Sequence, residues 1–309
     1  MDEFKKLRIV FMGTPEFAVA SLKALVDEGC TIVGVITAPD KPAGRGLQLQ
    51  ESAIKQYAKS VGLHILQPEK LKNELFLTEL QSLQADLQIV VAFRMLPEVV
   101  WNMPPMGTIN VHGSLLPQYR GAAPINWAII NGENETGVTT FKLKHEIDTG
   151  DILLQEKISI EENETAGTLH DKMKAVGAEL LLKTIKAIAT NSIIEQPQQF
   201  CDVEKRATKI FTETCLIDWS KSVDEVYNLI RGLSPYPTAF TSLQGKKLKI
   251  FLCNKIKKPI QGSIGSYVSD YKTFLHFNCL DGVIDVKELQ LEGKKKMNVE
   301  DFLKGFRPH

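Results

Sequence analysis

The sequence predicts an α/β protein: a doubly wound, mostly parallel sheet followed by a small β-barrel. Three observations predict it. Short, nearly continuous apolar runs alternate with helical periods over residues 1–190, as in parallel sheets covered on both faces. A polar stretch rich in Gln and Pro then breaks the pattern at residues 191–210. Beyond it, strand-like runs recur between Gly, Asp and Asn turns, the spacing of a small barrel. A chain of 309 residues favours two domains, here 1–190 and 211–309 with 191–210 as the linker.

The elements follow in order. "LRIVFM" (7–12) is the first strand, and "GTPEFAVASLKALVDEGC" continues as a helix capped by Thr14, with Pro15 in its first turn and Gly29 at its end. "TIVGVIT" (31–37) is the second strand. "SAIKQYAKSVG" is a helix ending at Gly62, "LHIL" (63–66) a strand, and "NELFLTELQSLQ" (73–84) a helix. "LQIVVA" (87–92), "TINVH" (108–112) and "ILLQEKISI" (152–160) are further strands. "AGTLHDKMKAVGAELLLKTIKAIAT" is a long helix. After the linker, "SVDEVYNLIRGL" is an amphipathic helix with Ser222 as its cap. The strands "KKLKIFLCNKI", "GSIGSYVSD", "KTFLHFNC" and "GVIDVKELQLEG" then complete the barrel.

Composition narrows the functional classes. Hydrophobic residues make up 43% and charged residues 24%, ordinary for a globular protein. No apolar run approaches the ~20 residues that span a bilayer. The start, "MDEFKKLRIVFMG", lacks the apolar core of a signal peptide. A cytoplasmic protein without membrane partners is expected. Cys30, Cys201, Cys215, Cys253 and Cys279 form no C-x-x-C pair, so neither a zinc site nor a disulfide framework is expected. The formal charge is zero, yet residues 206–309 hold 17 Lys+Arg against 11 Asp+Glu, a net of +6, and residues 1–205 carry −6. That asymmetry suits a C-terminal half facing a polyanion, with a merely solvated basic face as the alternative.

The segment "TINVHGSLLPQYRGAAP" (108–124) opens as a strand and then turns at Gly113, Ser114 and Pro117. Asn110 and His112 are two apart, so they share one face at a strand's carboxyl end, where open α/β sheets bind ligands. An Asn amide can donate to a developing oxyanion, and a His can move protons near neutral pH. A purely structural pair closing the strand is the competing reading. "HEIDTGDIL" (145–153) places Asp148 in a turn before a strand, so its carboxylate also sits at a sheet rim. Beside His112 it would fix the ring's tautomer and balance charge on it; alone, it could equally be an Asx turn. "APDKPAGRGLQLQES" (38–52) is long for a strand–helix connection and carries Lys41 and Arg45, which marks a functional or a simply solvated loop. "GTPEFA" is neither G-x-G-x-x-G nor a Walker motif, and gives little support for dinucleotide or nucleotide-triphosphate binding.

Taken together, "GTPEFA", "DKPAGRG", "INVHGSLLPQYRGAAPINWAIINGE", "TGVTTFKL", "IDTGDIL", "IDWSKSVDEVYNLIRGLSPYPTAF" and "FLKGFRP" resemble the methionyl-tRNA formyltransferase family over nearly the whole chain. The resemblance implies a Rossmann-like catalytic domain and an OB-like β-barrel that binds tRNA. It implies 10-formyltetrahydrofolate as formyl donor and the amino group of methionyl-initiator tRNA as acceptor. Such a transfer involves neither an activated water nucleophile nor phosphoryl transfer, so no metal is expected, and a monomer is expected. By motif, Asn110, His112 and Asp148 are the catalytic set. Ser114, Leu115, Leu116 and Pro117 bind the folate, and Arg45, with Lys41 in the same loop, reaches the tRNA. Gly113 stands where members usually carry Ala, Lys144-His145-Glu146 replaces a more apolar stretch, and Tyr236 replaces a common Trp. A formyltransferase for an amino-sugar nucleotide is the alternative within the same chemistry. A non-catalytic RNA-binding protein is the alternative outside it, and would have no reason to hold Asn110, His112 and Asp148 together.

Overall fold

Apolar runs with no polar face can be satisfied only at the centre of a covered sheet, and the first strand is found there. A computed structural model of the chain describes residues 2–43, 48–199 and 203–307. It divides into two compact units, Met1–Arg120 with Gly137–Ile158 and His170–Lys205, and Gly121–Thr136 with Ser159–Leu169 and Arg206–His309.

The first unit is built on a seven-stranded sheet in the order Ile65–Leu66, Thr31–Ile36, Arg8–Gly13, Leu87–Val91, Thr108–His112, Glu135–Lys142, Ile152–Ser159. The first five run parallel, and Glu135–Lys142 is antiparallel to Thr108–His112. In chain order the parallel strands read 3-2-1-4-5, so the winding reverses beside Arg8–Gly13. This is the doubly wound, mostly parallel sheet the apolar runs predict. Ile9, Val10, Phe11 and Met12 have no exposed surface. Gly13 closes the strand because a Cβ there would lie 2.7 Å from the Cβ of Ala18, so strand end and helix pack at glycine distance.

Several boundaries differ from expectation. The first long helix spans Glu16–Asp27, and Pro15, in extended conformation, occupies its N-cap with no side-chain cap bond; Thr14 lies one residue too early to act as the cap. The 38–52 connection is not irregular throughout, for Lys41–Ala43 and Gln48–Gln50 pair as a two-stranded antiparallel ribbon. Asp40 at its base accepts from Lys55 Nζ at 2.5 Å and from Gln67 Nε2 at 2.8 Å, and these bonds hold its carboxyl below the usual range. The Glu135–Lys142 strand has no counterpart among the expected elements. Thr139 and Thr140 in it are fully buried and are satisfied at a distance: Thr139 Oγ1 donates to Ser114 O at 2.7 Å and Thr140 pairs with Thr184 at 2.8 Å. A buried polar pair of this kind leaves no hydrophobic period to read.

The second unit is a curled antiparallel half-barrel of the expected OB-like kind. Its strands run Ala239–Leu243, Lys246–Ile256, Val283–Leu291, Leu275–Asn278, Tyr267–Ser269, with Met297–Asn298 added to Val283–Leu291. Trp219 stacks on Phe277 at 4.8 Å and donates to Thr241 Oγ1 at 2.9 Å, which lets an indole sit in the core without an orphaned N–H. The Val223–Gly232 helix carries a full capping box between Ser222 and Glu225. Ser222→Ala should lower unfolding stability by ~1 kcal/mol, measured by urea denaturation. Residues outside the C-terminal half belong to this unit as well. Asn126 Nδ2 donates to Gly232 O at 2.7 Å from the Pro124–Ile130 helix, and Arg231 Nη1 donates to Glu164 O at 3.1 Å. Cys215, Cys253 and Cys279 are buried free thiols. Burial pushes Cys253 and Cys279 up, the latter to about 12, so both stay protonated and unreactive.

Candidate active site

The Thr108–His112 strand delivers Asn110 and His112 to the carboxyl rim of the first unit's sheet. His112 is 6% exposed. Its Nε2 lies 2.9 Å from the carbonyl oxygen of Tyr119. A carbonyl only accepts, so Nε2 carries the proton and Nδ1 faces the other way. There Nδ1 stands 3.8 Å from Asp148 Oδ2, within ion-pair reach though longer than a hydrogen bond. The Phe141 ring meets the imidazole edge-on at 6.4 Å. Asn110 is half-buried, and its buried Oδ1 has no hydrogen-bond partner among the described residues, a costly state for an amide unless a ligand answers it.

Asp148 reaches this place through an unusual turn. Its φ is +54°, a left-handed conformation that Asp tolerates better than most residues. Two residues on, a Cβ on Gly150 would lie 1.6 Å from Lys142 O, so the turn accepts only glycine there. Gln198 Nε2 donates to Asp148 O at 2.9 Å and Gly150 O at 2.8 Å. Gln198 lies in the segment expected as linker, where Gln196 also exchanges two backbone bonds with Ile152.

The 114–117 segment is a rigid ledge after the strand. Ser114 is fully buried and its Oγ donates to Gln118 O at 2.6 Å. Leu116 is buried, its N–H donating to Thr139 Oγ1 at 3.2 Å and its carbonyl accepting from Gln155 Nε2 at 3.0 Å. Leu115 and Pro117 are half-buried and are the segment's accessible side chains. Tyr119, Thr139, Gln155 and Gln198 support the site; Tyr119 and Thr139 lie within the stretches that carry the resemblance, Gln155 and Gln198 do not, and what each does depends on the partners that folding brings to it. Lys41 is exposed in the first strand of the ribbon, and Arg45 lies outside the described residues. Among the described residues, Glu16, His170 and Asp171 could converge on a metal ion, but Lys174 Nζ already sits 2.6 Å from Glu16 and 3.2 Å from Asp171. Among the same residues no helix is long and apolar enough to cross a membrane.

Comparison with known proteins agrees with this architecture. The formyl transferase family profile matches residues 7–185, and the profile of the formyl transferase C-terminal domain matches residues 209–307. A methionyl-tRNA formyltransferase of Phocaeicola vulgatus is 57% identical over 315 residues, covering 99% of this chain and 97% of its own. One of Parabacteroides distasonis is 54% identical over 311 residues, covering 97% and 96%. Among solved structures, the sugar 3N-formyl transferase WlaRD, crystallised with dTDP and 5-N-formyl-THF, aligns over 94% of this chain and 99% of its own with a TM-score of 0.69 and 22% identity. HypX from Aquifex aeolicus, in complex with tetrahydrofolic acid, aligns over 97% of this chain and 48% of its own at TM-score 0.66 and 17% identity. At such identities the two structures speak for the fold alone. Matched by both family profiles and by relatives more than half identical over nearly its full length, the chain belongs to the formyl transferase family, among the methionyl-tRNA formyltransferases.

Proposed function

We propose that this enzyme transfers the formyl group of 10-formyltetrahydrofolate to the amino group of methionyl-initiator tRNA in the cytoplasm, with Asn110, His112 and Asp148 as its catalytic residues. The observation that carries the reading is the approach of His112 Nδ1 to Asp148 Oδ2, 3.8 Å apart and 36 residues distant in sequence. Asn110 Oδ1, buried and unpartnered among the described residues, and the half-buried Leu115 and Pro117 suit a folate that brings its own polar and flat apolar groups. The ledge would hold it through Leu115 and Pro117, with Ser114 and Leu116 setting the backbone.

In the reaction, the bond between the formyl carbon and the folate nitrogen breaks as the bond to the methionyl nitrogen forms. One proton passes from the attacking amine to the leaving nitrogen. The Asn110 amide NH2 donates to the formyl oxygen as negative charge grows there, and so does Nδ1–H of His112 in its doubly protonated form; such a donor is worth roughly 2.7–4 kcal/mol. Tyr119 O keeps Nε2 occupied, so the ring works through Nδ1. Asp148 balances charge on the ring and passes the proton through a water at the rim.

For the acceptor, the second unit presents Lys246 and Lys247 exposed, with Lys247 Nζ 3.6 Å from the Phe240 ring centroid. Lysines interleaved with aromatic rings suit an RNA backbone and its bases. In this reading residues 1–190 catalyse, 191–210 connect, 211–309 bind tRNA, and a monomer suffices. Lys41 and Arg45 meet the acceptor end. Arg45→Ala should raise KM for charged tRNA by ~10-fold or more with KM for folate nearly unchanged. Equal change for both substrates would remove Arg45 from that role.

The deciding assay mixes the protein with the formyl donor and alternative acceptors and follows folate absorbance. Consumption only with charged initiator tRNA is expected. Turnover with an amino-sugar nucleotide instead would select the rival reading.

A further inference from the structure

We propose that Gln198 is a positioning residue of the formyl-transfer site, holding the Asp148 turn within reach of His112; this rests on the catalytic reading just given. Its amide is used at both ends. Arg120 donates to Gln198 Oε1 from Nη2 at 2.6 Å and from Nε at 3.0 Å. Gln198 Nε2 in turn donates to Asp148 O and Gly150 O at 2.9 and 2.8 Å. A guanidinium can only donate and a carbonyl can only accept, so the amide's orientation follows from chemistry and has no alternative flip. Glu lacks the donor, Lys lacks the acceptor, and Leu or Met lacks both; Asn has both but is one methylene short.

The strut is anchored behind as well. Arg120 Nη1 meets Glu204 Oε1 at 3.1 Å, and the Arg120 side chain is 11% exposed. Glu204, Arg120, Gln198 and the Asp148 turn thus form one line of hydrogen bonds, and those made by Arg120 are charge-assisted, the strong class. The same stretch supports the other partner. Tyr119 N donates to Lys205 O at 2.6 Å, and Tyr119 O receives His112 Nε2–H. Residues 198 and 205 therefore brace opposite sides of one His–Asp pair.

Such bracing matters because of the turn's own conformation. Asp148 has a φ of +54°, a state that persists only where its surroundings over-determine it. At 3.8 Å from Nδ1, its carboxylate is already at the edge of useful reach. A displacement of ~1 Å in a catalytic geometry can cost as much as 10²-fold.

The test compares Gln198→Ala, Gln198→Glu, Asp148→Asn and the Gln198→Ala/Asp148→Asn double variant in the full-length enzyme, by single-turnover formylation at excess enzyme. Gln198→Ala should lower the rate of formyl transfer by ~10–100-fold, with both KM values within about threefold and Tm nearly unchanged. Gln198→Glu keeps its size and its Arg120 contact but cannot donate to the turn, and should fall as far; it stands in if the alanine variant is poorly folded. In the Asp148→Asn background, Gln198→Ala should cost nothing further, since it acts through Asp148. A rate within twofold of wild type for both Gln198 variants, or a full additional loss in the double variant, overturns the proposal. Near-normal turnover by Asp148→Asn would instead sink the catalytic reading on which it stands.

Discussion

His112→Ala and Asp148→Asn should each reduce formyl transfer by ~10²–10⁴-fold, the range expected when a positioned acid–base group is lost. The two losses have different physical origins. Alanine at 112 removes the ring and leaves Tyr119 O, which now accepts from His112 Nε2, without that donor. Asparagine at 148 keeps the shape of the turn and removes the charge opposite Nδ1. Both KM values should change less than the rate, because neither side chain is assigned to uniform binding of substrate. Single-turnover kinetics, with circular dichroism to show an intact fold, measure this. In the proposed mechanism the two side chains share one function, so the double variant should lose little more than the worse single one. Near-normal turnover by either variant would require another chemistry at this rim.

Gly150→Ala should be the most damaging single-atom-scale change near the site. A Cβ there would stand 1.6 Å from Lys142 O and 2.8 Å from Lys142 C, well inside any van der Waals contact. Backbone is the obstacle, and no side-chain rotation relieves it. Either the turn moves out or the Glu135–Lys142 strand moves back. Lys142 N donates to Asp151 O at 3.0 Å, so the first route breaks that bond and the two Gln198 bonds to Asp148 O and Gly150 O. We expect a stability loss of about 2–4 kcal/mol, the size associated with backbone clashes and broken networks. Activity should fall at least as far as in Asp148→Asn, since the carboxylate is carried away with the turn. Thermal melts and the formylation assay read the two effects separately. A variant with wild-type Tm and rate would mean that the turn has room the structure denies.

The legible and illegible parts of the fold divide along a physical line. Strands such as Arg8–Gly13 and Leu87–Val91 were readable because burial on both faces demands an unbroken apolar run. The Glu135–Lys142 strand was not, because Thr139 and Thr140 replace the apolar signal with hydroxyls satisfied by Ser114 and Thr184. The Val223–Gly232 helix announced its start through Ser222 and Glu225, a local device whose partners lie three residues apart. Thr14 has the same chemistry and caps nothing, since the chain enters that helix through an extended Pro15. Gln198 was the least readable of all. Its neighbourhood, "IIEQPQQF", has the composition of a linker, yet its amide bonds to a turn 48–50 residues earlier in the chain.

By itself, the sequence determined the layered α/β class, an OB-like strand-rich domain toward the C-terminus, and the shared face of Asn110 and His112. These follow from periods of two and 3.6 and from turn residues, all interactions between near neighbours along the chain. Only the tertiary structure decided that Asp148 Oδ2 lies 3.8 Å from His112 Nδ1, that Tyr119 O claims the other ring nitrogen, and that Arg120 and Gln198 brace the acidic turn. Each of those pairings joins groups whose separation along the chain carries no information about their separation in space; packing sets it, and hydrogen-bond directionality then selects which atoms meet.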